Sequence, residues 1–209
     1  MASSFFDDAT RQATTAAIQA IEAVTSAEIV VTVHQRSGEY RDADLLWGIA
    51  AAALGLAAIL YLPQSFEVST IPLDLGVLGL VGSLASSRSP ALRRLFTSRR
   101  RRAAATQRAA RAAFYDLGVS RTSGRTGILV YVSAMERQVA LVPDVGVPVE
   151  ALGEGWGAVT AALQEAVARG SADAGPFLAA LARLGPLLEG PLPRQEDDVN
   201  ELPDEVVHR

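Results

Sequence analysis

The sequence predicts an α/β protein: an α/β/α sandwich, with a mixed central sheet and helices on both faces, interrupted by an inserted transmembrane helical hairpin. Three observations lead to this prediction. Short β-branched runs alternate with amphipathic helical stretches, which is typical of a sheet covered by helices. Two apolar runs lie near the middle of the chain. Directly after them, the stretch from Arg88 to Arg111 holds nine arginines and no acidic residue.

Composition excludes several classes of chemistry. A chain of 209 residues has room for one ordinary domain and an attached segment. The absence of cysteine excludes disulfide scaffolds, thiolate metal sites and cysteine nucleophiles. All positively charged residues are arginine, which also excludes Schiff-base and phosphate-loop lysines. The mean hydropathy of +0.21 is too apolar for a disordered chain and favours a membrane segment.

The first part of the chain predicts one helix and one strand. Apolar residues recur on one helical face between Ser3 and Thr25, which indicates an amphipathic helix. The run of β-branched residues at 29–33 then predicts a short strand that is buried on both faces.

The next segment predicts a membrane hairpin. Leu45 to Leu62 is free of charge and close to the roughly 20 residues that cross a bilayer. A second, weaker span runs from Phe66 to Ser87, with Asp74 expected near the outer interface. The turn between the spans has no arginine, so the positive-inside rule places the turn outside and both chain ends in the cytoplasm. We therefore expect two spans in a bacterial inner (plasma) membrane. A buried helical hairpin in a soluble protein is the alternative.

The arginine run beside the second span is interpreted as a membrane-surface segment. Clustered basic side chains next to a span contact anionic headgroups. Nucleic acid is the less favoured partner, because no aromatic residues are interleaved with the arginines. The predicted membrane-surface residues are Arg93, Arg94, Arg99, Arg100, Arg101 and Arg102.

The second part of the chain completes the sheet and its helices. A long helix is expected from Ser89 to about Leu117, with Gly118 as its C-cap. Two β-rich runs around the turn 134–136 predict an antiparallel hairpin. Two amphipathic helices are expected at 148–170 and 173–189. The predicted organisation is 1–43 and 89–192 for the two parts of the domain, 44–88 for the membrane hairpin and 193–209 for an acidic tail.

Five segments occur in a fixed order along the chain: TSAEIVV (25–31), AAFYDLGV (112–119), RTGILVYVS (125–133), ERQVALVPDVGV (136–147) and NELPDEV (200–206). Together they resemble the TPM domain family, whose members are small, usually membrane-tied α/β/α domains of bacteria and photosynthetic organelles. The resemblance covers about 5–36 and 114–206, and it implies a helix-covered sheet with a role in the maintenance or assembly of membrane proteins. Phosphatase activity and divalent-metal binding belong to some plant members. The central hairpin departs from the common family layout.

The residues supply no recognisable catalytic device. The chain lacks a cysteine-arginine phosphatase loop and a Gly-x-Ser-x-Gly elbow. His34 is interpreted as a partly exposed strand-end residue rather than a catalytic base, and His208 lies next to the carboxyl end. Asp144 follows a strand at a sharp exit, where it could bind Ca²⁺ or Mg²⁺ together with Asp197 and Asp198 of the tail. Turn formation by Asp144 is the favoured alternative.

These observations lead to two functional hypotheses. The first is a membrane-anchored, TPM-like domain that is non-catalytic and serves as an interaction, assembly or maintenance module for membrane proteins. The lipid bilayer and other membrane proteins are then its expected partners. The alternative is a divalent-metal-dependent, phosphatase-like hydrolase that uses Asp144 and neighbouring carboxylates.

Overall fold

The computed structural model describes residues 7–63, 66–171, 173–195, 200–202 and 206–208. The chain divides into two compact units. The first unit comprises 1–37 and 102–209, and the second comprises Gly38–Arg101. The predicted hairpin, 44–88, falls within the second unit, which extends beyond it at both ends.

The described elements combine helices with short strands, as in a mixed α/β fold. In chain order they are α1 (Asp8–Glu22), β1 (Ile29–His34), α2 (Arg41–Tyr61), α3 (Ile71–Arg88), α4 (Pro90–Leu95), α5 (Arg99–Asp116), a 3-10 turn (Val119–Arg121), β2 (Ile128–Ser133), β3 (Gln138–Pro143), α6 (Val149–Arg169), α7 (Gly175–Ala182), α8 (Leu184–Glu189) and β4 (Val207–His208).

The sheet of the first unit has the order β3-β2-β1-β4. β1 runs parallel to β2, with Ile29 opposite Ile128, and parallel to β4. β2 and β3 form the predicted antiparallel hairpin. The sheet is therefore mixed, and the parallel pair β1–β2 is joined by a long crossover, as parallel strands require.

Alternate residues of the buried strands supply two separate apolar cores. One face of β1 and β2 presents Ile29, Val31, Ile128 and Val130 to the helices α1, α6, α7 and α8. The other face packs against α5 and its Phe114. Because side chains alternate across a strand, a strand that is covered on both sides is apolar at every position, which explains the continuous β-branched run of β1.

The predicted long helix at 89–117 is two helices, and this part of the prediction is wrong. α4 ends at Leu95, and α5 begins at Arg99. The Thr97 hydroxyl donates to the carbonyl of Arg93 at 2.8 Å, and the Ser98 hydroxyl accepts from the Arg101 amide at 3.3 Å. The hydroxyls of serine and threonine take over hydrogen bonds of the backbone in this way. The helix is therefore interrupted here, although the apolar periodicity of the sequence continues.

Two further helices depart from the predicted bounds. α6 contains Gly153 at φ 49°, a left-handed conformation that kinks the helix, and it ends at the left-handed Gly170. The expected helix at 173–189 is divided into α7 and α8 at Arg183. Gly118 has φ 72°, which confirms the predicted glycine stop after α5.

The second unit consists mainly of the helical hairpin α2–α3, whose helices approach closely at small residues. A Cβ built on Gly82 would lie 2.6 Å from the Ala51 Cβ, and one on Gly48 would lie 2.7 Å from the Gly79 carbonyl oxygen. Such contacts are typical of small-residue helix pairs. Among the described residues, α2 is the one helix long and apolar enough to cross a membrane, so the composition of α3 does not support a second span.

The acidic tail is partly docked on the first unit. Leu202 packs on the α5 side of the sheet and Val206 on the opposite side. Glu201 accepts hydrogen bonds from the Ser123 amide at 2.9 Å and from its hydroxyl at 2.6 Å. The tail carboxylates at 197 and 198 lie outside the described residues.

Candidate functional site

The first candidate site is the apolar surface of the hairpin α2–α3. Only 17% of the apolar stretch of α2 is buried, so most of its side chains face away from the packed interior. Leu54, near the middle of α2, is 72% exposed. Large exposed apolar side chains extend along both helices, and patches of this kind mark membrane or partner surfaces. They are Leu45, Leu46, Ile49, Leu54, Leu56 and Leu60 of α2 and Leu73, Val77, Leu78, Leu80, Val81 and Leu84 of α3.

A buried ion pair lies at the end of the hairpin where α2 begins and α3 ends. The Asp44 carboxylate accepts from Arg93 Nε at 2.9 Å and from Arg93 Nη2 at 2.7 Å. The Ser86 hydroxyl donates to the same carboxylate at 2.8 Å. The side chains of Asp44 and Arg93 are 10% and 15% exposed. A bidentate guanidinium–carboxylate pair with few solvent contacts fixes the relative position of the elements that carry it. With the Ser86 hydrogen bond, this pair joins α2, α3 and α4.

Trp47 holds the segment after α3 in a defined position. We call this segment, Ser89–Arg100, the elbow; it comprises α4, the residues 96–98 and the first two residues of α5. The Trp47 Nε1 donates to the carbonyl of Leu92 at 2.8 Å. Its ring meets Phe96 edge-on, with the ring centroids 4.9 Å apart. The elbow is thus packed against α2 rather than extended.

The predicted membrane-surface arginines fall into two groups. Arg93 is engaged by Asp44, Arg101 is paired with Asp42, and Arg102 donates to the carbonyl of Glu136 at 3.2 Å. Arg99 and Arg100 are exposed, and Arg94 is half-buried. The sequence could not separate these groups, because the acids that bind Arg93 and Arg101 lie far away along the chain.

Asp144 lies at the predicted strand exit, where Arg125 binds it. The carboxylate accepts from Arg125 Nε at 2.7 Å and from Nη2 at 2.9 Å, and from the Val145 amide at 2.7 Å. The Arg125 guanidinium lowers the pKa of Asp144 below its usual range, against the opposing effect of burial. A Cβ on Gly146 would lie 2.3 Å from the Gly124 carbonyl oxygen, so glycine lets this turn approach closely.

This geometry assigns Asp144 to an ion pair with Arg125. In the described part of the chain, no group of three histidine, aspartate or glutamate side chains is arranged to hold a metal ion. Asp197 and Asp198 lie outside that part. Metal binding by the three aspartates therefore stays a prediction.

A second polar cluster lies at the carboxyl ends of the parallel strands. Glu136, in the β2–β3 turn, is fully buried. Its carboxylate accepts from the Ser133 hydroxyl at 2.5 Å and from the Ser37 amide at 2.9 Å. The Ser37 hydroxyl lies 2.6 Å from that of Ser133 and 3.1 Å from that of Tyr131. Burial raises the pKa of Tyr131.

Glu136 of this cluster forms hydrogen bonds with the residue at which the chain leaves the first unit and with the residue at which it returns. Ser37 is the last residue before the second unit, and Arg102 is the first residue after it. Glu136 accepts from Ser37 through its side chain and from Arg102 through its backbone carbonyl. His34 stacks on Tyr131 with centroids 4.6 Å apart, which places it in this cluster at the strand end. The sequence analysis did not predict the cluster.

Comparison with known proteins gives one point of reference, which concerns the fold. The chain is similar to the NMR structure of the BA42 protein from the psychrophilic bacterium Bizionia argentinensis, with a TM-score of 0.57 and 16% identity. The match covers 98% of this chain and 96% of that one. At this identity, the likeness shows the fold alone. No family model matches the sequence, and no curated protein matches it.

Proposed function

We propose that this chain is a membrane-anchored α/β domain that acts as a non-catalytic interaction or assembly module for membrane proteins. The exposed apolar surface of the hairpin α2–α3 carries the proposal. Exposure of these leucine and valine side chains to water costs roughly 25 cal/mol of free energy for each Å² of apolar surface. Contact with lipid removes that cost. In this proposal both helices lie in the bilayer, and the arginines that follow α3 stay on the cytoplasmic side.

Alkaline extraction of membranes tests the attachment. We expect the wild-type chain to stay in the pellet and a Leu54→Arg variant to move toward the soluble or degraded fraction. An arginine at the centre of a span costs about 2.5–3.5 kcal/mol, but on a water-exposed surface it costs little.

Val145→Arg is the matched control, because Val145 is 82% exposed on the first unit. It introduces the same side chain on a surface that the proposal leaves in water, so the pellet fraction should not change. Release of the wild type by alkali, or equal behaviour of the two variants, would contradict membrane attachment.

The module part of the proposal comes from the resemblance to the TPM domain family. Its test is a deletion strain in which the abundance of assembled membrane complexes is measured. We expect a loss that the full chain restores and that the hairpin alone, residues 38–101, does not restore. Unchanged complexes would contradict the module.

The hydrolase hypothesis gains no support from the geometry of Asp144. A carboxylate that accepts two hydrogen bonds from Arg125 and one from a backbone amide has few lone pairs left for a cation. Turnover of a phosphomonoester by the purified chain with Ca²⁺ or Mg²⁺, lost in Asp144→Ala, would revive this hypothesis.

A further inference from the structure

We infer that the elbow, Ser89–Arg100, is a binding surface for anionic phospholipid headgroups. The inference rests on the proposed membrane attachment and adds the lipid class to it. The hairpin accounts for residence in a bilayer of any composition. The elbow would make the protein prefer bilayers that contain acidic lipids.

The elbow displays the two kinds of side chain that an interface requires. Leu95 is 72% exposed and Phe96 is 42% exposed. Arg99 and Arg100 follow three and four positions after Phe96, and both are exposed. An apolar pair beside basic side chains suits the boundary between acyl chains and headgroups.

The internal ion pairs separate free arginines from structural ones. Asp44 neutralises Arg93, and Asp42 neutralises Arg101. No ion pair that involves Arg88, Arg99 or Arg100 occurs in the described ranges. These three positive charges therefore remain available to phosphate groups.

The surface is organised before any ligand arrives. The Asp44–Arg93 pair and the two contacts of Trp47 fix α4 and Phe96 against α2. Side chains and backbone that are already ordered lose less entropy on binding, which strengthens an otherwise weak electrostatic contact.

Lipid suits this surface better than nucleic acid does. A bound nucleic acid would leave the apolar side chain of Leu95 in water. The ring of Phe96 already packs edge-on against Trp47, so it is not available for stacking on a base. Arginine contacts to phosphate are common to both ligands. The exposed Leu95 and the apolar hairpin of the same unit are suited to lipid rather than to a nucleic acid.

The cysteine-free chain allows a direct test by fluorescence quenching. Ala91→Cys, at an exposed position of α4, carries a fluorophore in the full chain reconstituted into nanodiscs. Brominated phosphatidylglycerol and brominated phosphatidylcholine are compared as quenchers, which gives the relative association constant for the acidic lipid. We expect the acidic lipid to be preferred. Arg99→Gln/Arg100→Gln should reduce that preference by roughly 25-fold, about fivefold for each arginine.

Arg108→Gln/Arg111→Gln is the matched control, since it removes the same charge from two exposed positions later in α5. It should retain the preference. Equal loss in both double variants would overturn the inference in favour of a general charge effect. If the wild-type chain inserts but shows no preference for the acidic lipid, the headgroup inference is wrong and the proposed membrane attachment stands. If the chain fails to insert, the proposed attachment is wrong. Retention of a labelled oligonucleotide by the nanodiscs, lost only in the 99/100 variant, would assign the surface to nucleic acid.

Discussion

At the scale of single residues, the ion pair of Asp144 with Arg125 makes the folding stability depend on pH. Its pKa is lowered in the folded state because Arg125 stabilises the carboxylate. The stabilisation is therefore present above the unfolded pKa of about 4 and is lost as the pH falls through the lower, folded value. We expect the thermal midpoint of the wild type to fall with acid in this range. Asp144→Asn should start lower and depend less on pH, and the exposed Asp116→Asn should follow the wild type.

The buried carboxylate of Glu136 gives a second prediction at this scale. Ser133→Ala removes the hydroxyl that donates to it at 2.5 Å. A buried polar group that loses its hydrogen-bond partner lowers the free energy of unfolding by about 1–3 kcal/mol. Urea unfolding of the variant should show this loss, while Ser120→Ala, a partly exposed serine outside the cluster, should change little. Equal stability of the two variants would show that the cluster does not stabilise the first unit.

At the scale of elements, the hairpin depends on glycines at specific positions. A Cβ on Gly82 would meet Ala51 at 2.6 Å and the Trp47 carbonyl oxygen at 2.9 Å, whereas a Cβ on Gly76 meets nothing within 4 Å. Gly82→Ala should force the helices apart and cost about 1–3 kcal/mol. Gly76→Ala should be neutral or slightly stabilising, because alanine favours the helix. Unfolding of the reconstituted protein in dodecyl sulfate measures both, and a larger effect at Gly76 would contradict the packing.

The same scale shows what a sequence can predict. β1, β2, β3 and the turn between β2 and β3 follow from local runs of β-branched residues, and the structure confirms them. The break at 96–98 was missed, because it depends on two hydroxyl contacts and not on apolar periodicity.

For the molecule as a whole, the sites depend on distant pairs. Ser37 and Glu136 are separated by 99 positions, and Asp44 and Arg93 by 49. No local pattern encodes such a pair. Clustered charge and apolar runs predicted the arginine segment and the helical hairpin, but only the structure shows that Arg93 and Arg101 form ion pairs with Asp44 and Asp42.

The central proposal is that the hairpin lies in the membrane with both helices crossing it, and single-cysteine labelling tests this proposal most directly. Ser69→Cys lies in the turn between α2 and α3, and Ser120→Cys lies in the first unit. We expect a membrane-impermeant maleimide to label position 69 in intact spheroplasts and position 120 only after permeabilisation. Labelling of both positions from the same side would contradict the two crossings.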